Sequence, residues 1–124
     1  MKYYVDTCIW LNILKKEKLF YKSSKELIES NEITISTITL KELSYKINLN
    51  NIITQLNFLT KIEKTKNEDY LLARKYEKEN NFNLSFYDYL HVAIAKRLFL
   101  PLVTRDRDLI IFAKTHIQVF KPNY

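Results

Sequence analysis

The sequence contains no glycine, although average usage of about 7% predicts roughly nine in a chain of 124 residues. Loops that bind phosphate through backbone amides need residues without a Cβ atom where the backbone approaches the ligand. The absence therefore excludes the GxGxxG motif of dinucleotide-binding proteins, the GxxxxGK[ST] motif of P-loop NTPases and the GxSxG motif of serine hydrolases.

Cysteine and histidine are almost as rare. Cys8 is the single cysteine, so no intrachain disulfide can form, and His91 and His116 are too few to complete a Cys/His zinc site with it. The N-terminal residues lack the basic-then-apolar order of a signal peptide, and no apolar run approaches the roughly eighteen residues of a membrane span. We therefore expect a soluble protein of the reducing cytoplasm, without membrane association.

Basic residues outnumber acidic ones, with 20 Lys and Arg against 14 Asp and Glu, a net charge of +6 and a pI near 9.3. This balance suits a polyanionic partner such as nucleic acid. Sixteen of the basic residues are lysine and eleven residues are asparagine, so an AT-rich coding bias explains much of the charge equally well. The 47% hydrophobic content predicts a well-filled core in one domain spanning residues 1–124.

Short β-favouring runs alternate with stretches of helical periodicity along the whole chain. This alternation predicts an α/β fold, with a parallel sheet covered by helices on both faces. Asparagines at 48–51 and 80–83 are expected to form turns, because asparagine tolerates left-handed φ values. The predicted strands are Lys2–Val5, Ile33–Ile35, Phe58–Glu63, Leu100–Val103 and Ile117–Phe120; the predicted helices cover Ile9–Leu14, Tyr21–Ser30, a segment from Thr39, Ile52–Leu59, Asn67–Asn80, Leu90–Leu98 and Leu109–Lys114.

Most of the aspartates fall just after a predicted strand or at the start of a predicted helix. In an open parallel sheet, such positions meet at the crevice outside the carboxyl ends of the strands. Helix capping is the alternative, because Glu42 and Asp88 each stand three residues after a capping Thr or Ser. Carboxylates that lie close together without a cation raise one another's pKa, and a bound cation removes this cost. A cluster of oxygen ligands alone is typical of sites for Mg²⁺ or Mn²⁺. The acids at such positions are Asp6, Glu42, Asp88, Asp106 and Asp108.

Four short segments carry these acids in recognisable patterns. All four occur in the order and at the spacing found in PIN-domain ribonucleases, so the whole chain resembles that family, and in particular the VapC toxins of toxin–antitoxin pairs. The segments are YVDTCIWL at Tyr4–Leu11, STITLKEL at Ser36–Leu43, DYLHVAIA at Asp88–Ala95 and LVTRDRDL at Leu102–Leu109.

The resemblance implies a three-layer α/β/α PIN-like domain with a central parallel sheet of about five strands. It implies a metal-dependent endoribonuclease that cleaves RNA with metal-activated water, with Mg²⁺ or Mn²⁺ as cofactor. The implied partners are an RNA substrate, a cognate antitoxin and a second copy of the chain in a homodimer. The implied catalytic residues are Asp6, Glu42, Asp88 and Asp106, the metal ligands Asp6, Asp88, Asp106 and Asp108, and the orienting residues Thr7 and Thr104.

Several neighbouring residues allow two interpretations. Arg105 and Arg107 alternate with the acids of the last segment, where they either neutralise those acids or bind RNA phosphates. Cys8 is expected to be a small packing residue, and His91 a partly buried histidine facing the surface or a contact to substrate phosphate. Tyr87 and Phe86 are able to stack on an unpaired base where they are exposed.

Two other functions stay open at this point. One is a PIN-like nuclease of RNA maturation that has no toxin role. The other is a non-catalytic module that binds RNA or a protein partner and uses its acids only as helix caps.

Overall fold

The structure, a computed structural model, describes residues 1–48, 56 and 59–122. These residues form five strands and six helices. The strands are β1 (Lys2–Val5), β2 (Glu32–Ser36), β3 (Thr60–Glu63), β4 (Leu102–Val103) and β5 (Val119–Phe120); the helices are α1 (Thr7–Leu14), α2 (Tyr21–Ser30), α3 (Thr37–Lys46), α4 (Asn67–Glu79), α5 (Phe86–Leu98) and α6 (Arg107–Ala113).

The five strands form one parallel sheet in the order β3-β2-β1-β4-β5. The central strand β1 pairs with β2 on one side, where Tyr3 lies opposite Ile33, and with β4 on the other, where Tyr4 lies opposite Leu102. The chain therefore winds outward from β1 in both directions. Ligands of such sheets bind beyond the carboxyl ends of the strands at this reversal, here between β1 and β4.

Alternate residues of β1 enter two separate hydrophobic clusters, because successive side chains of a strand point to opposite faces. Tyr4 packs in a cluster with Leu90 and Phe112 from α5 and α6. Val5 packs in a second cluster with Trp10 and Ile28 from α1 and α2. The sheet therefore lies between two helical layers, which confirms the predicted three-layer α/β/α fold. In the part of the chain that the structure describes, every helix is too short or too polar to cross a bilayer.

The predicted boundaries hold with a few differences. Strand β4 begins at Leu102 rather than Leu100, because Pro101 has no N–H and contributes only its carbonyl, which accepts the N–H of Tyr4 at 2.9 Å. The predicted strand from Phe58 begins at Thr60. The helix predicted over Ile52–Leu59 lies, apart from Leu56 and Leu59, outside the described residues.

Helices α1, α4 and α5 end on residues with positive φ, although the chain has no glycine, and the φ of Lys16 after α1 is 50°. The φ of Asn81 is 54°, and its N–H and that of Phe82 donate back to Lys78 and Glu77 at the end of α4. The φ of Phe99 is 56°, and the N–H groups of Phe99 and Leu100 donate to Lys96 and Ala95 at the end of α5. Both are the paired hydrogen bonds of a Schellman motif. The asparagine turn predicted at 80–83 is confirmed at Asn81.

Candidate active site

Asp6 is the first residue after β1, and both of its carboxylate oxygens are held in place. Its N–H donates to the Val103 carbonyl at 2.9 Å, so the backbone of Asp6 is fixed at the β1–β4 junction. Oδ1 accepts the N–H of Thr7 at 2.8 Å, and Oδ2 accepts the hydroxyl of Thr104, also at 2.8 Å. Asp6 is only 5% exposed. The two threonines expected to orient the site, Thr7 and Thr104, both contact this carboxylate.

Asp106 caps helix α6 from the turn that follows β4. Its Oδ1 accepts the N–H groups of Asp108 at 3.0 Å and Leu109 at 3.2 Å. Its own N–H donates to Thr104 Oγ1 at 3.1 Å, which links it to the threonine that contacts Asp6. Oδ2 accepts no hydrogen bond from any described residue, so the capping role leaves one oxygen of Asp106 available to a ligand.

Asp88 lies in the first turn of α5, where its N–H donates to the Ser85 side chain at 3.3 Å. Burial, followed by the negative charges of Asp6 and Asp106, raises the pKa of Asp88 to about 6. The hydrogen bond from Ser85 and the charge of His91 oppose this increase. Three carboxylates from β1, α5 and the turn after β4 therefore interact at the carboxyl edge of the sheet.

Glu42 is not part of a capping box, so that prediction is wrong. Helix α3 begins at Thr37, and Ser36 and Thr39 form the reciprocal cap, in which the Ser36 N–H donates to Thr39 Oγ1 at 3.3 Å. This places Glu42 in the second turn of α3, where Oε1 accepts the Thr7 hydroxyl at 2.8 Å and contacts Nε2 of His91. Its carboxylate is thus tied to α1 and α5 instead of its own helix.

His91 is completely buried, which corrects the expectation of a partly buried histidine facing the surface. Its Nδ1 is 2.6 Å from the Tyr4 hydroxyl, which in turn hydrogen-bonds Ser36 Oγ at 2.8 Å. Its Nε2 contacts Glu42 and is 3.8 Å from Oδ1 of Asp6. A continuous polar chain therefore runs through the core from Ser36 to Glu42.

This network shifts the pKa values of both His91 and Glu42. Burial by itself disfavours the imidazolium, but Tyr4, Glu42 and Asp6 raise the pKa of His91 well above its usual value. Burial would likewise raise the pKa of Glu42, yet the hydrogen bond and charge of His91 and the Thr7 hydroxyl lower it. Glu42 is therefore an ionised carboxylate held by a buried cation.

This network of Ser36, Tyr4, His91 and Glu42 was not predicted from the sequence. One signal was available: His91 is the single strongly polar residue in the otherwise apolar stretch Leu90–Ala95, one helical turn after Asp88. A polar side chain at a core position must find hydrogen-bond partners, so this position indicates a buried, hydrogen-bonded histidine.

The two arginines and Asp108 lie apart from this network. The Arg105 guanidinium donates to Asn12 at 2.8 Å and to Ser23 and Ser24 at 2.6 Å, and it covers the Phe20 ring. It therefore ties the β4–α6 turn to α1 and α2, and among the described residues it forms no ion pair with the neighbouring aspartates. The exposed residues Arg107 and Asp108 begin α6, and Asp108 lines a surface depression with Asn80 and Asn83.

Cys8 packs against the same turn, as predicted. Its sulfur is 3.5 Å from Thr104 Oγ1 and accepts the Arg105 N–H at 3.5 Å. Burial, together with the charge of Asp6, raises the pKa of the thiol to about 12. The group is thus a neutral thiol at physiological pH, neither a thiolate ligand nor a nucleophile.

Comparison with the sequence profiles of known protein families matches the PIN domain over residues 3–115. The chain belongs to the PIN-domain family. The match begins in β1 and ends after α6, so it includes every segment that carries a candidate acid. A search of curated proteins finds no match.

Solved structures similar to this PIN domain include several toxin–antitoxin proteins. VapBC2 from Rickettsia felis, solved with a promoter DNA fragment, shares 21% identity over 99% of this chain and 100% of its own, with a TM-score of 0.67. VapC20 from Mycobacterium tuberculosis is described as a sarcin-ricin loop cleaving toxin. It shares 17% sequence identity over 94% of this chain and 96% of its own, with a TM-score of 0.73. VapBC-1 from Haemophilus influenzae shares 20% over 98% of both chains, with a TM-score of 0.69. At these identities the likeness establishes the fold.

The donor atoms of this PIN domain fit a hard divalent cation. Among the described residues, no group of three or more histidine, cysteine, aspartate or glutamate side chains is arranged to hold a metal ion. Mg²⁺ does not require one, because it keeps several water molecules and binds through one or two carboxylates. The raised pKa of Asp88 reflects its burial first and then the negative charges of Asp6 and Asp106. A cation bound by Asp6, Asp88 and Asp106 would compensate these charges.

Proposed function

We propose that this protein is a Mg²⁺- or Mn²⁺-dependent endoribonuclease and the toxin of a toxin–antitoxin pair. The observation that supports the proposal is the electrostatic interaction of Asp88 with Asp6 and Asp106 beyond the carboxyl ends of β1 and β4. The charges of Asp6 and Asp106 act on Asp88 there, in a protein of net charge +6. A structural role alone gives no reason to place them together, because each carboxylate increases the energetic cost of ionising the others.

Asp6, Asp88 and Asp106 are the proposed ligands of the metal ion. Asp108 is a weaker candidate, because its carboxylate lies on the side of α6 that faces Asn80 and Asn83. When bound, the ion would screen the substrate phosphate and lower the pKa of a coordinated water. The free Oδ2 of Asp106 and the Asp88 carboxylate, which has no cation partner among the described residues, are the groups best able to accept it.

The remaining residues would fix the position and charge of these acids. Thr104 and the N–H of Thr7 hold the Asp6 carboxylate in one orientation. His91 keeps Glu42 ionised and engages Oε1, which leaves Oε2 to accept a hydrogen bond from the attacking water. We therefore assign catalytic roles to Asp6, Glu42, Asp88 and Asp106, and orienting roles to Thr7 and Thr104.

The toxin role and the partners rest on the likeness to the VapBC and VapC structures. The VapBC structures belong to toxin–antitoxin systems, some of them solved with DNA, and VapC20 is a toxin that cleaves the sarcin-ricin loop. By analogy we propose a cognate antitoxin, an RNA substrate and a homodimer for this chain. Arg107, exposed at the start of α6 beside Asp106, is the better placed of the two arginines for contact with RNA, because the guanidinium of Arg105 is already engaged by Asn12 and two serines.

The decisive experiment is cleavage of purified tRNA, rRNA and mRNA pools with and without Mn²⁺. The wild-type protein should cut at least one pool, EDTA should stop the reaction, and Asp6→Asn and Asp88→Asn should each lower the rate at least about 100-fold. Glu26→Gln, an exposed carboxylate on α2, is the matched control and should cleave like the wild type. Cleavage by both aspartate variants at the wild-type rate would contradict the site assignment.

A non-catalytic binding module is the second candidate function. It is favoured by the capping role of Asp106 and by the hydrogen bond from the Thr7 N–H to Asp6. The two candidates differ in their response to metal, because an ion that binds only the folded state stabilises it by about 1.4 kcal/mol at ten times Kd. A melting temperature that Mn²⁺ leaves unchanged would favour the binding module.

A further inference from the structure

The hydroxyl of Tyr4 is a polar group at the centre of the core to which the proposed reaction gives no role. Tyr4 lies on the central strand β1 and is completely buried, in the cluster that contains Leu90 and Phe112. Its ring alone would fill this place, and phenylalanine has the same ring. A hydroxyl taken out of water is costly unless it is hydrogen-bonded, so its presence points to the groups that it contacts.

Two polar side chains from different elements meet at this hydroxyl. Ser36, the N-cap of α3, has its Oγ 2.8 Å away, and Nδ1 of His91 on α5 is 2.6 Å away. A tyrosine hydroxyl donates one hydrogen bond and accepts another, so it satisfies both neighbours at once. The imidazole is therefore attached to the central strand through Nδ1.

This attachment at Nδ1 decides where the second ring nitrogen points. Nε2 of His91 contacts Oε1 of Glu42, and an ionised carboxylate only accepts hydrogen bonds. Nε2 must therefore carry a proton, whether the ring is neutral or charged. The Tyr4 hydroxyl is compatible with both states, because it donates to a bare Nδ1 and accepts from a protonated one. In either state the ring keeps one orientation, with its Nε2–H on Glu42.

The carboxylate of Glu42 depends on this donor for its own orientation. Its Oε1 accepts hydrogen bonds from two side chains, the Thr7 hydroxyl at 2.8 Å and Nε2 of His91. The Thr7 hydroxyl by itself is a single contact, about which a carboxylate is free to rotate. Two donors from α1 and α5 hold it in one direction. Such precision matters in catalysis, since a displacement of about 1 Å in a reacting group costs about 100-fold in rate.

We propose that Tyr4 is a positioning residue of the candidate active site: its hydroxyl fixes the His91 ring, and the ring holds the Glu42 carboxylate in its working direction. This inference rests on the proposed ribonuclease function. It adds a residue to which the pattern of acids assigns no role, because Tyr4 acts only through His91.

A purely structural role for the hydroxyl is the alternative, and Tyr89 separates the two. Tyr89 is also completely buried in the same cluster. Its hydroxyl accepts hydrogen bonds from the Asn80 side chain at 2.9 Å and from the Leu84 N–H at 3.1 Å. Tyr4→Phe and Tyr89→Phe each remove one buried hydroxyl with two partners and keep the ring. A structural role alone would therefore give the two variants the same properties.

The first test is steady-state cleavage, in saturating Mn²⁺, of the RNA pool that the wild type cuts. Tyr4→Phe should lower kcat at least about 10-fold and change KM less than about two-fold, because the direction of Glu42 acts in the transition state and not in substrate binding. Tyr89→Phe should keep the wild-type kcat and KM. Far-UV circular dichroism establishes that both variants are folded at the assay temperature. Equal kcat for the wild type and Tyr4→Phe, or equal losses in the two variants, would overturn the inference.

The second test observes the His91 ring by ¹⁵N NMR in EDTA, without RNA or metal. The chain has only two histidines, so His116→Gln identifies the signals of His91. The wild type and Tyr89→Phe should show a His91 Nε2–H proton that exchanges slowly with water, because the ring is completely buried and contacts a partner at both nitrogens. In Tyr4→Phe this proton should exchange at least about 10-fold faster. Unchanged exchange and unchanged chemical shifts would show that the hydroxyl does not hold the ring, which contradicts the inference.

The two proposals fail in different ways. If the wild type cleaves RNA and Tyr4→Phe cleaves it equally fast, the ribonuclease function stands and the positioning role falls. If the wild type cleaves no RNA with any divalent metal, the ribonuclease function falls, and the His91 spectra alone decide whether Tyr4 fixes the ring on Glu42.

Discussion

Asp88 is the candidate metal ligand whose pKa is raised in the folded protein. Its pKa of about 6 in the folded protein exceeds the ordinary value of 3.8, so between these pH values the folded state binds more protons than the unfolded state. The free energy of unfolding therefore decreases as pH rises through this window, and at neutral pH the ionised carboxylate destabilises the metal-free protein.

Asp88→Asn should consequently stabilise the metal-free protein. At pH 7.5 in EDTA we expect the free energy of unfolding to increase by about 1–3 kcal/mol, and the increase should largely disappear at pH 4. Urea unfolding at the two pH values measures both quantities. Glu26→Gln, which removes a carboxylate from the exposed face of α2, should change neither. A loss of stability in Asp88→Asn at pH 7.5 would indicate that the side chain mainly supports α5.

Helix ends carry the energetic consequence of a sequence without glycine. For a residue with a Cβ atom, the left-handed backbone conformation costs about 1–2 kcal/mol of conformational energy. Asparagine reduces this cost at Asn81, but α5 ends on Phe99, whose ring is 93% exposed and gains little from packing. The end of α5 is therefore a strained position with almost no compensating contact.

Replacing Phe99 with glycine should relieve that strain. We expect Phe99→Gly to increase the free energy of unfolding by about 0.5–1 kcal/mol, after allowing for the greater flexibility of glycine in the unfolded chain. Leu71→Gly is the control, since Leu71 is 74% exposed in the interior of α4; it should decrease the same quantity by about 1 kcal/mol. Chemical denaturation measures both. Equal destabilisation by the two substitutions would show that Phe99 makes contacts worth more than its strain.

Elements that follow a simple hydrophobic period were predictable, and those that depend on tertiary partners were not. The alternation of strands and helices identified the parallel sheet. The start of α3 was predicted at the wrong residue. The sequence is compatible with a cap formed by Thr39 and Glu42, but in the structure Ser36 and Thr39 form it. Asp69 shows the same limit, since its bidentate ion pair with Arg97 at 2.8 and 3.0 Å joins α4 to α5 across 28 residues.

Within the site, the convergence of the acids was predictable but the network behind them was not. Carboxyl ends of parallel strands meet at one edge of a sheet, which brings Asp6 and Asp106 together whatever their neighbours are. The contact between His91 and Glu42 depends on how α5 and α3 cross, and the engagement of Arg105 depends on the position of α2. No local pattern in the sequence encodes either crossing.

At the scale of the whole molecule, the site joins the two helical layers. Glu42 and the Thr7 hydroxyl that contacts it come from α3 and α1, whereas Asp88 and His91 come from α5 on the other face of the sheet. The buried contact between Glu42 and His91 crosses from one layer to the other. Separating the layers would break this ion pair and its hydrogen bonds, which opposes partial unfolding.

We therefore expect the chain to unfold as one cooperative unit. Trp10, the single tryptophan, reports on the cluster beneath α1 and α2, and far-UV circular dichroism reports on all helices. The two signals should give the same urea midpoint, and Mn²⁺ should shift both by the same amount. Separate midpoints would contradict the prediction of one domain over residues 1–124.

The pairing of β1 with β4 also determines when the site can exist during synthesis. Strand β1 is complete after five residues, but its partner β4 lies about a hundred residues later. Until the ribosome has released β4, Asp6 has neither the Val103 carbonyl nor the Thr104 hydroxyl to hold it, and Asp106 is absent. A chain whose translation stops before β4 therefore has no assembled candidate site.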